Sequence, residues 1–323
     1  MKAEGAGEEE EGPRPASDTK NEDELLYAIP SLDTRFRLKQ VSAVGTSTGT
    51  TLWLSSQVLV CYLIETERKQ RRRRGAAAAA AAVATATAAA GAANTRRPLA
   101  VDLGAGVGLT SLVLAALGFD VITTDIDPPY SSVLLPNIAA NSPPPSRSGG
   151  ATRCGGQIIT LLVDWTVASD VDALLAEADA RGGADLVVTA DTLYSPSIVD
   201  SLLACLAQLK RRGTQRQQQL DVQQEEEDEE EQKQRRKLEV KAKAKAGRGN
   251  KGTAKDRRTM ILVALERRDP SLIEMSLARA RSSEHRLEPD RVPQRVLNKA
   301  VDDHLGSCHW SRDDWDDVEV WHM

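Results

Sequence analysis

The sequence predicts an α/β fold: a Rossmann-like, mostly parallel sheet with helices on both faces. Three observations carry that reading. From Pro98 onward, short apolar runs alternate with helical stretches of about ten or more residues, the spacing of parallel strands joined by crossover helices. The first run ends in "VDLGAGVGLTSL", an acid followed by closely spaced glycines and a helix-like segment. The second run, about twenty residues on, ends in "VITTDID", again on an acid.

Taken in order, residues 1–24 are acidic and lack aromatic and branched apolar side chains, so they are expected to be disordered. Strand-like signals run from Leu25 to Leu38, and Thr51–Glu65 places apolar residues at helical spacing. A basic block and an alanine tract, about residues 66–97, are low complexity and should lengthen the loop or helix before the next strand without joining the core. Strands follow at Leu99–Leu103, Asp120–Thr124, Gln157–Val163, 184–191 and Thr259–Arg268. Helices are expected at Gly108–Leu117, Pro128–Asn141, Val171–Ala180 and Pro196–Leu209, with a Pro- and Gly-rich loop before Gln157. Residues 211–258 carry charge blocks of both signs and almost no apolar side chain, which reads as an insertion, disordered or a solvated helix. "DDVEVWHM" closes the sheet, with Val318, Val320 and His322 on one face and Trp321 on the other, so truncation there should damage the fold. The expected organisation is one domain over 25–323, interrupted at 66–97 and 211–258.

Composition excludes several functions. The net charge of -5 gives no global basic field, so direct nucleic-acid binding is not expected. No apolar stretch resembles a membrane span, and the acidic N-terminus is the opposite of a signal peptide. The expected location is intracellular, in cytoplasm or nucleus. Cys61, Cys154, Cys205 and Cys308 form no CxxC pair, which argues against a disulfide framework or a zinc site. The adjacent Cys308 and His309 have poor geometry for one metal, and no metal is expected. The expected state is a monomer.

The glycine spacing bears first on which nucleotide is bound. Gly104, Gly106 and Gly108 give GxGxG, whereas a dinucleotide fingerprint is GxGxxG; Leu109 stands where its third glycine belongs. Asp102, two residues before the first glycine, is an arrangement common in S-adenosylmethionine sites. A lone GxGxG is equally a tight turn without a ligand. Asp125, closing the second strand where a carboxylate can accept both ribose hydroxyls, favours the ligand. Asp164-Trp165 closes the third strand with an acid for the adenine amino group and a ring to cover the base. "ADTLY", Ala190–Tyr194, closes the fourth, and ligands of open α/β sheets lie at such carboxyl ends. The tetrapeptide Asp127-Pro128-Pro129-Tyr130 spells the active-site motif of enzymes that methylate base amino groups, but there it closes the fourth strand. After the second strand it reads as a helix start, Asp127 capping and Pro128 in the first turn.

The segments "LW…SSQVLVCYL", "VDLGAGVGLTSL", "TDID…NIAAN", "LLVDW", "ADTLY" and "ALERR" resemble, in order and spacing, the seven-β-strand protein-lysine methyltransferases called family 16. The terminal "DDVEVWHM" is similar to the end of the methyltransferase-like protein 22 subgroup. The resemblance covers about Leu52 to Met323, excluding both low-complexity insertions. It implies a seven-stranded S-adenosylmethionine-dependent methyltransferase fold, S-adenosylmethionine as cofactor and a protein substrate carrying the target lysine. It implies donor contacts from Trp53, Gly104, Ala105, Gly106, Asp125, Trp165 and Ala190, with Asp102 and Asp164 beside them, and makes Asp191 and Tyr194 the DxxY pair. One departure is Asp102, where the family usually carries the longer glutamate.

Asp191 would then orient the incoming amine and Tyr194 would line its channel. From the residues alone, Asp191 reads equally as an N-cap for the helix at Pro196, and Tyr194 as a core aromatic. Other readings are methyl transfer to a nucleic acid or small molecule, or a non-catalytic binding protein. The first lacks an aromatic-basic stripe suited to single strands; intact Asp125, Trp165 and Asp191 speak against the second.

Overall fold

The computed structural model describes residues 13–42, 48–84, 96–141, 155–216, 259–305 and 310–323. Its strands are β1 (Glu24–Ile29), β2 (Thr34–Lys39), β3 (Leu99–Leu103), β4 (Asp120–Asp125), β5 (Ile158–Leu162), β6 (Leu186–Ala190), β7 (Met260–Glu266), β8 (Asp290–Arg291) and β9 (Val318–His322). Its α-helices are α1 (Ala16–Thr19), α2 (Leu54–Ala84), α3 (Leu109–Ala116), α4 (Leu135–Asn141), α5 (Ala168–Ala180), α6 (196–216), α7 (Pro270–Ala280) and α8 (Gln294–Leu305). Seven strands form one sheet in the order β5-β4-β3-β6-β7-β9-β8. The five from β5 to β7 are parallel, and β9 runs antiparallel between β7 and β8.

Strands buried on both faces read as unbroken apolar runs, and their alternate residues feed two cores. Leu99, Val101, Leu103, Ile261, Val263 and Leu265 pack against α5, α6 and α7 through Leu174, Leu202 and Leu277. Ala100, Leu262 and Ala264 face the other way, toward Leu59 of α2, Leu114 of α3 and Leu38 of β2. In β9, Val318 and Val320 are fully buried, Trp321 joins the opposite layer, and His322 Nε2 lies 2.9 Å from Tyr62 Oη of α2. The alternation read from the terminal sequence is the one observed.

β1 and β2 form a separate hairpin clamped to α4. The "NIAAN" spacing puts Asn137 and Asn141 on one helix face. Asn137 Oδ1 accepts from the Lys39 amide at 2.6 Å, and Asn141 Oδ1 from the Arg37 amide at 2.9 Å. Their amide nitrogens donate back to the same residues' carbonyls at 2.9 Å and 2.8 Å.

Several boundaries differ from expectation. Residues 13–24, assigned to a disordered tail, are packed: Ala16 is buried and its amide donates to Gln57 Oε1 of α2 at 2.8 Å. Of the two readings of 66–97, loop or helix, its first part takes the helix, because α2 continues to Ala84. Arg, Lys, Gln and Ala are good helix formers, and Glu65 pairs with Arg68 at 3.2 Å and Lys69 at 3.4 Å along the helix. Likewise α6 runs to 216, beyond Leu209. The helix expected from Pro128 starts as a π-helical turn at Tyr130–Leu134 whose N-cap position is Pro129, and Asp127 Oδ1 accepts from the Ser131 amide of that turn at 3.3 Å. Residues 1–12, 85–95, 142–154 and 217–258 lie outside the described residues, as do Cys308 and His309. Among the described residues no helix is long and apolar enough to cross a membrane, and no group of three or more His, Cys, Asp or Glu could hold a metal ion.

Candidate active site

The loops leaving the carboxyl ends of β3, β4, β5 and β6 enclose a cleft of about 560 Å³. The glycine turn after β3 makes its floor. Gly104 sits at φ +67°, and a Cβ there would lie 2.8 Å from Thr192 Cγ2 and 3.2 Å from the Trp165 ring. Gly106, at φ +56°, would carry its Cβ 3.1 Å from the Gly49 carbonyl. Only glycine holds both backbone positions without strain.

Asp125, at the end of β4, is buried and ties this turn to its strand. Its Oδ2 accepts from the Gly106 amide at 2.7 Å and its Oδ1 from the Ile126 amide at 2.8 Å. Burial pushes its carboxyl up to about 6 against those two bonds. Each oxygen keeps capacity for another donor. Asp102 lines the same cleft but is turned into the layer beneath it, with Oδ2 2.6 Å from Ser111 Oγ of α3. Burial, opposed by the Ser111 bond and reinforced by the nearby Asp125 charge, raises its carboxyl to about 7.

Asp164 Oδ1 is held by the Thr166 amide at 2.8 Å and hydroxyl at 2.7 Å. Trp165 packs against the face of the sheet that α5, α6 and α7 cover and over Gly104, and its buried Nε1 has no hydrogen-bond partner. Buried indole N–H groups are rarely left so, and a polar ligand in the cleft would complete it. Ala190 ends β6, half-buried on the wall.

Asp191 is held at φ +53°, its amide donating to the Ala264 carbonyl of β7 at 2.9 Å. Its Oδ1 accepts from the Glu266 amide at 2.9 Å, whereas Oδ2 is buried without a hydrogen bond and lies 3.9 Å from Arg268 Nη2. Burial raises its pKa, opposed first by the Glu266 amide and then by Ser55 and Arg268. The N-cap alternative therefore fails, because this carboxylate is engaged with β7 and not with α6. The core alternative for Tyr194 fails too: it is 54% exposed at the mouth of the cleft.

Trp53 immediately precedes α2 and donates Nε1 to the Thr48 carbonyl at 2.8 Å. The structure thus brings all eleven expected residues to one cleft, ten around its floor and walls and Tyr194 at its rim. It adds Gly49, Glu266 and Arg268. "ALERR" marked the last two as part of a motif, but nothing in it showed that they reach the cleft; Gly49 carried no signal.

The sheet order, the glycine turn after β3 and the acid closing β4 define the class: an S-adenosylmethionine-dependent methyltransferase fold. More narrowly, the chain belongs to the lysine methyltransferase family, whose sequence model matches residues 33–234, from the start of β2 into the charged insertion. No curated protein matches the sequence.

Solved structures resemble it at low identity. A Streptococcus mutans protein described as a SAM-dependent methyltransferase shares 9% identity at a TM-score of 0.40, covering 93% of this chain and 55% of its own. The chain thus spans about half the length of that protein. A TehB-like SAM-dependent methyltransferase from Corynebacterium glutamicum is 13% identical at a TM-score of 0.33, covering 80% of this chain and 96% of its own. The human methyltransferase 10 domain containing protein is 10% identical at 0.33, covering 72% of each chain. Such likenesses carry no argument about activity.

Proposed function

We propose that the chain transfers a methyl group from S-adenosylmethionine to the ε-amine of a lysine in a protein substrate. The carrying observation is the Asp191 carboxylate: one oxygen is fixed by the Glu266 amide, the other is buried without a hydrogen bond on the cleft wall. An unsatisfied buried acceptor costs about 1–3 kcal/mol, and an incoming amine brings the N–H donors it lacks. Family membership supports lysine as the acceptor.

The residues present fit the donor. Asp125 offers acceptor capacity on both oxygens, the Trp165 N–H wants a partner, and the glycine turn leaves room where any Cβ would intrude. When bound, S-adenosylmethionine supplies a methyl carbon already activated for in-line displacement. The chain's own task is therefore to position the amine and exclude water, which together contribute on the order of several kcal/mol. The lysine must be neutral at the moment of attack, since an ammonium has no lone pair, and removal from water lowers its pKa. Asp191 accepts the amine N–H bonds, orients the lone pair and favours the positive charge that nitrogen gains. Tyr194, exposed at the mouth, flanks the aliphatic stem.

Asp191→Asn tests the assignment. Donor affinity by calorimetry should stay within about twofold, while methyl incorporation into protease-sensitive acceptors of a cell lysate falls about a hundredfold, the scale of losing one well-placed group. Full turnover in the variant refutes the role of Asp191, and nuclease-sensitive label moves the acceptor to nucleic acid.

A further inference from the structure

The acceptor side of the cleft already holds a cation of the chain itself. Arg268 lies in the short link between β7 and α7, and its guanidinium carbon stands 4.4 Å from the centre of the Trp53 ring. Its Nη2 is paired directly with Glu266 Oε2 and lies 3.9 Å from Asp191 Oδ2, which it faces as an ion pair without a hydrogen bond. The Arg268 side chain is 45% exposed, those of Glu266 and Asp191 only 24% and 12%, so the cation lies nearer solvent than the two carboxylates it pairs with. On the same ring a second cation, Lys20 Nζ, stands 5.4 Å from the centroid.

An aromatic face backed by two carboxylates is a site for an alkylammonium or guanidinium ion. Arg268 fills it permanently charged, because a guanidinium does not lose its proton in proteins. A lysine side chain approaching Asp191 would therefore compete with Arg268 for the same carboxylate oxygen and the same ring.

We infer that Arg268 is a specificity-determining residue: it occupies, as a built-in competitor, the cation site formed by Trp53, Asp191 and Glu266, and the substrate's lysine must displace it. This rests on the reading of Asp191 as the acceptor carboxylate. Free lysine and other small amines lack the further contacts needed to evict the guanidinium. A protein surface has them, and its remote contacts offset the cost of eviction, which selects for lysines presented on a folded partner.

The test uses n-butylammonium as a lysine side-chain probe and n-butanol as its neutral counterpart. Each is titrated into the full chain while the Trp53 indole N–H resonance, assigned with Trp53→Phe, is followed by NMR. Arg268→Ala and Arg268→Gln should each bind n-butylammonium about tenfold more tightly than wild type, a factor consistent with loss of a competing cation–π and carboxylate contact. Arg268→Lys, which keeps the charge, should stay within about threefold of wild type, and n-butanol should not distinguish the proteins. The inference is overturned if neither neutral variant gains affinity, or if n-butanol gains equally, which would mean only an opened hole. Donor titration of the same samples keeps the two readings separate. An absence of S-adenosylmethionine binding refutes methyl transfer, while the cation competition is still scored.

Discussion

Replacing Asp125 by Asn probes the donor site at its most connected atom pair. The carboxylate accepts two backbone amides, from Gly106 at 2.7 Å and Ile126 at 2.8 Å, and would accept the ribose hydroxyls with its remaining lone pairs. Asn has one acceptor oxygen and turns an N–H toward a partner that itself donates. Each hydrogen bond to a charged group contributes about 1.5–3 kcal/mol, so two lost bonds amount to roughly 3–6 kcal/mol. Part of that falls on the empty protein, and about a hundredfold weaker donor binding is the expected outcome. The pH dependence adds a second arm. Burial holds the Asp125 carboxyl near 6, and only its ionised form is a full acceptor. Wild-type affinity should be flat above pH 7 and weaken toward about tenfold per unit as pH falls below 6, while the Asn variant lacks this limb. Calorimetric titration at pH 5, 6 and 7.5, with NAD in parallel, measures both. A variant within threefold of wild type, or a flat wild-type profile, refutes the ribose assignment, and comparable NAD binding refutes the reading of the glycine spacing.

Asp102→Asn should change how stability depends on pH. Its carboxyl is raised from 3.8 to about 7, so the native state holds a proton that the unfolded chain has released between those values. Wild type therefore loses stability as pH rises through that window, by on the order of 2–4 kcal/mol from this group alone, and urea unfolding at pH 5 and 8 should show a smaller drop in the variant. Equal drops would mean that Asp102 is ionised in the fold. Gly104→Ala forces a Cβ to 2.8 Å from Thr192 and a left-handed backbone at φ +67°. A loss of about 1–3 kcal/mol in thermal unfolding and of at least tenfold in donor affinity is expected. Retention of both would show that the turn relaxes freely.

The parallel core was legible because β3, β6 and β7 are covered on both faces and so spell continuous apolar runs bounded by helices. The strand-end acids Asp125 and Asp191 were legible because that topology gathers carboxyl ends in one place. The N-terminal clamp was not. Residues 13–24 contain no apolar pattern, and they are held by side chains from elsewhere: Gln57, whose Oε1 takes the Ala16 amide and whose Nε2 donates to the Arg14 carbonyl at 2.8 Å, and Gln40, which donates to the Thr19 and Glu22 carbonyls. The packing of Arg268 on Trp53 was equally hidden, since it joins residues from opposite ends of the chain. The arginine and alanine run, legible as either loop or helix, prolongs α2 as far as Ala84, as the helix propensity of its residues favours.

Asp185 marks the end of the sheet away from the cleft. Its carboxylate pairs with Arg96 at 2.8 Å and accepts the Leu99 amide at 2.7 Å, and its carbonyl accepts the Met260 amide at 3.0 Å. The segments 85–95 and 217–258 both rejoin the described fold at this edge, through Arg96 and through Thr259, whose hydroxyl donates to the Ala184 carbonyl at 2.7 Å. A flexible replacement of half or twice the length of 217–258 would shift closure entropy by only about 0.6 kcal/mol, less than a typical net hydrogen bond. A longer or shorter run at this rim therefore leaves the geometry of the opposite rim in place. Divergence in chain length and constancy of chemistry are accommodated at different ends of the same strands.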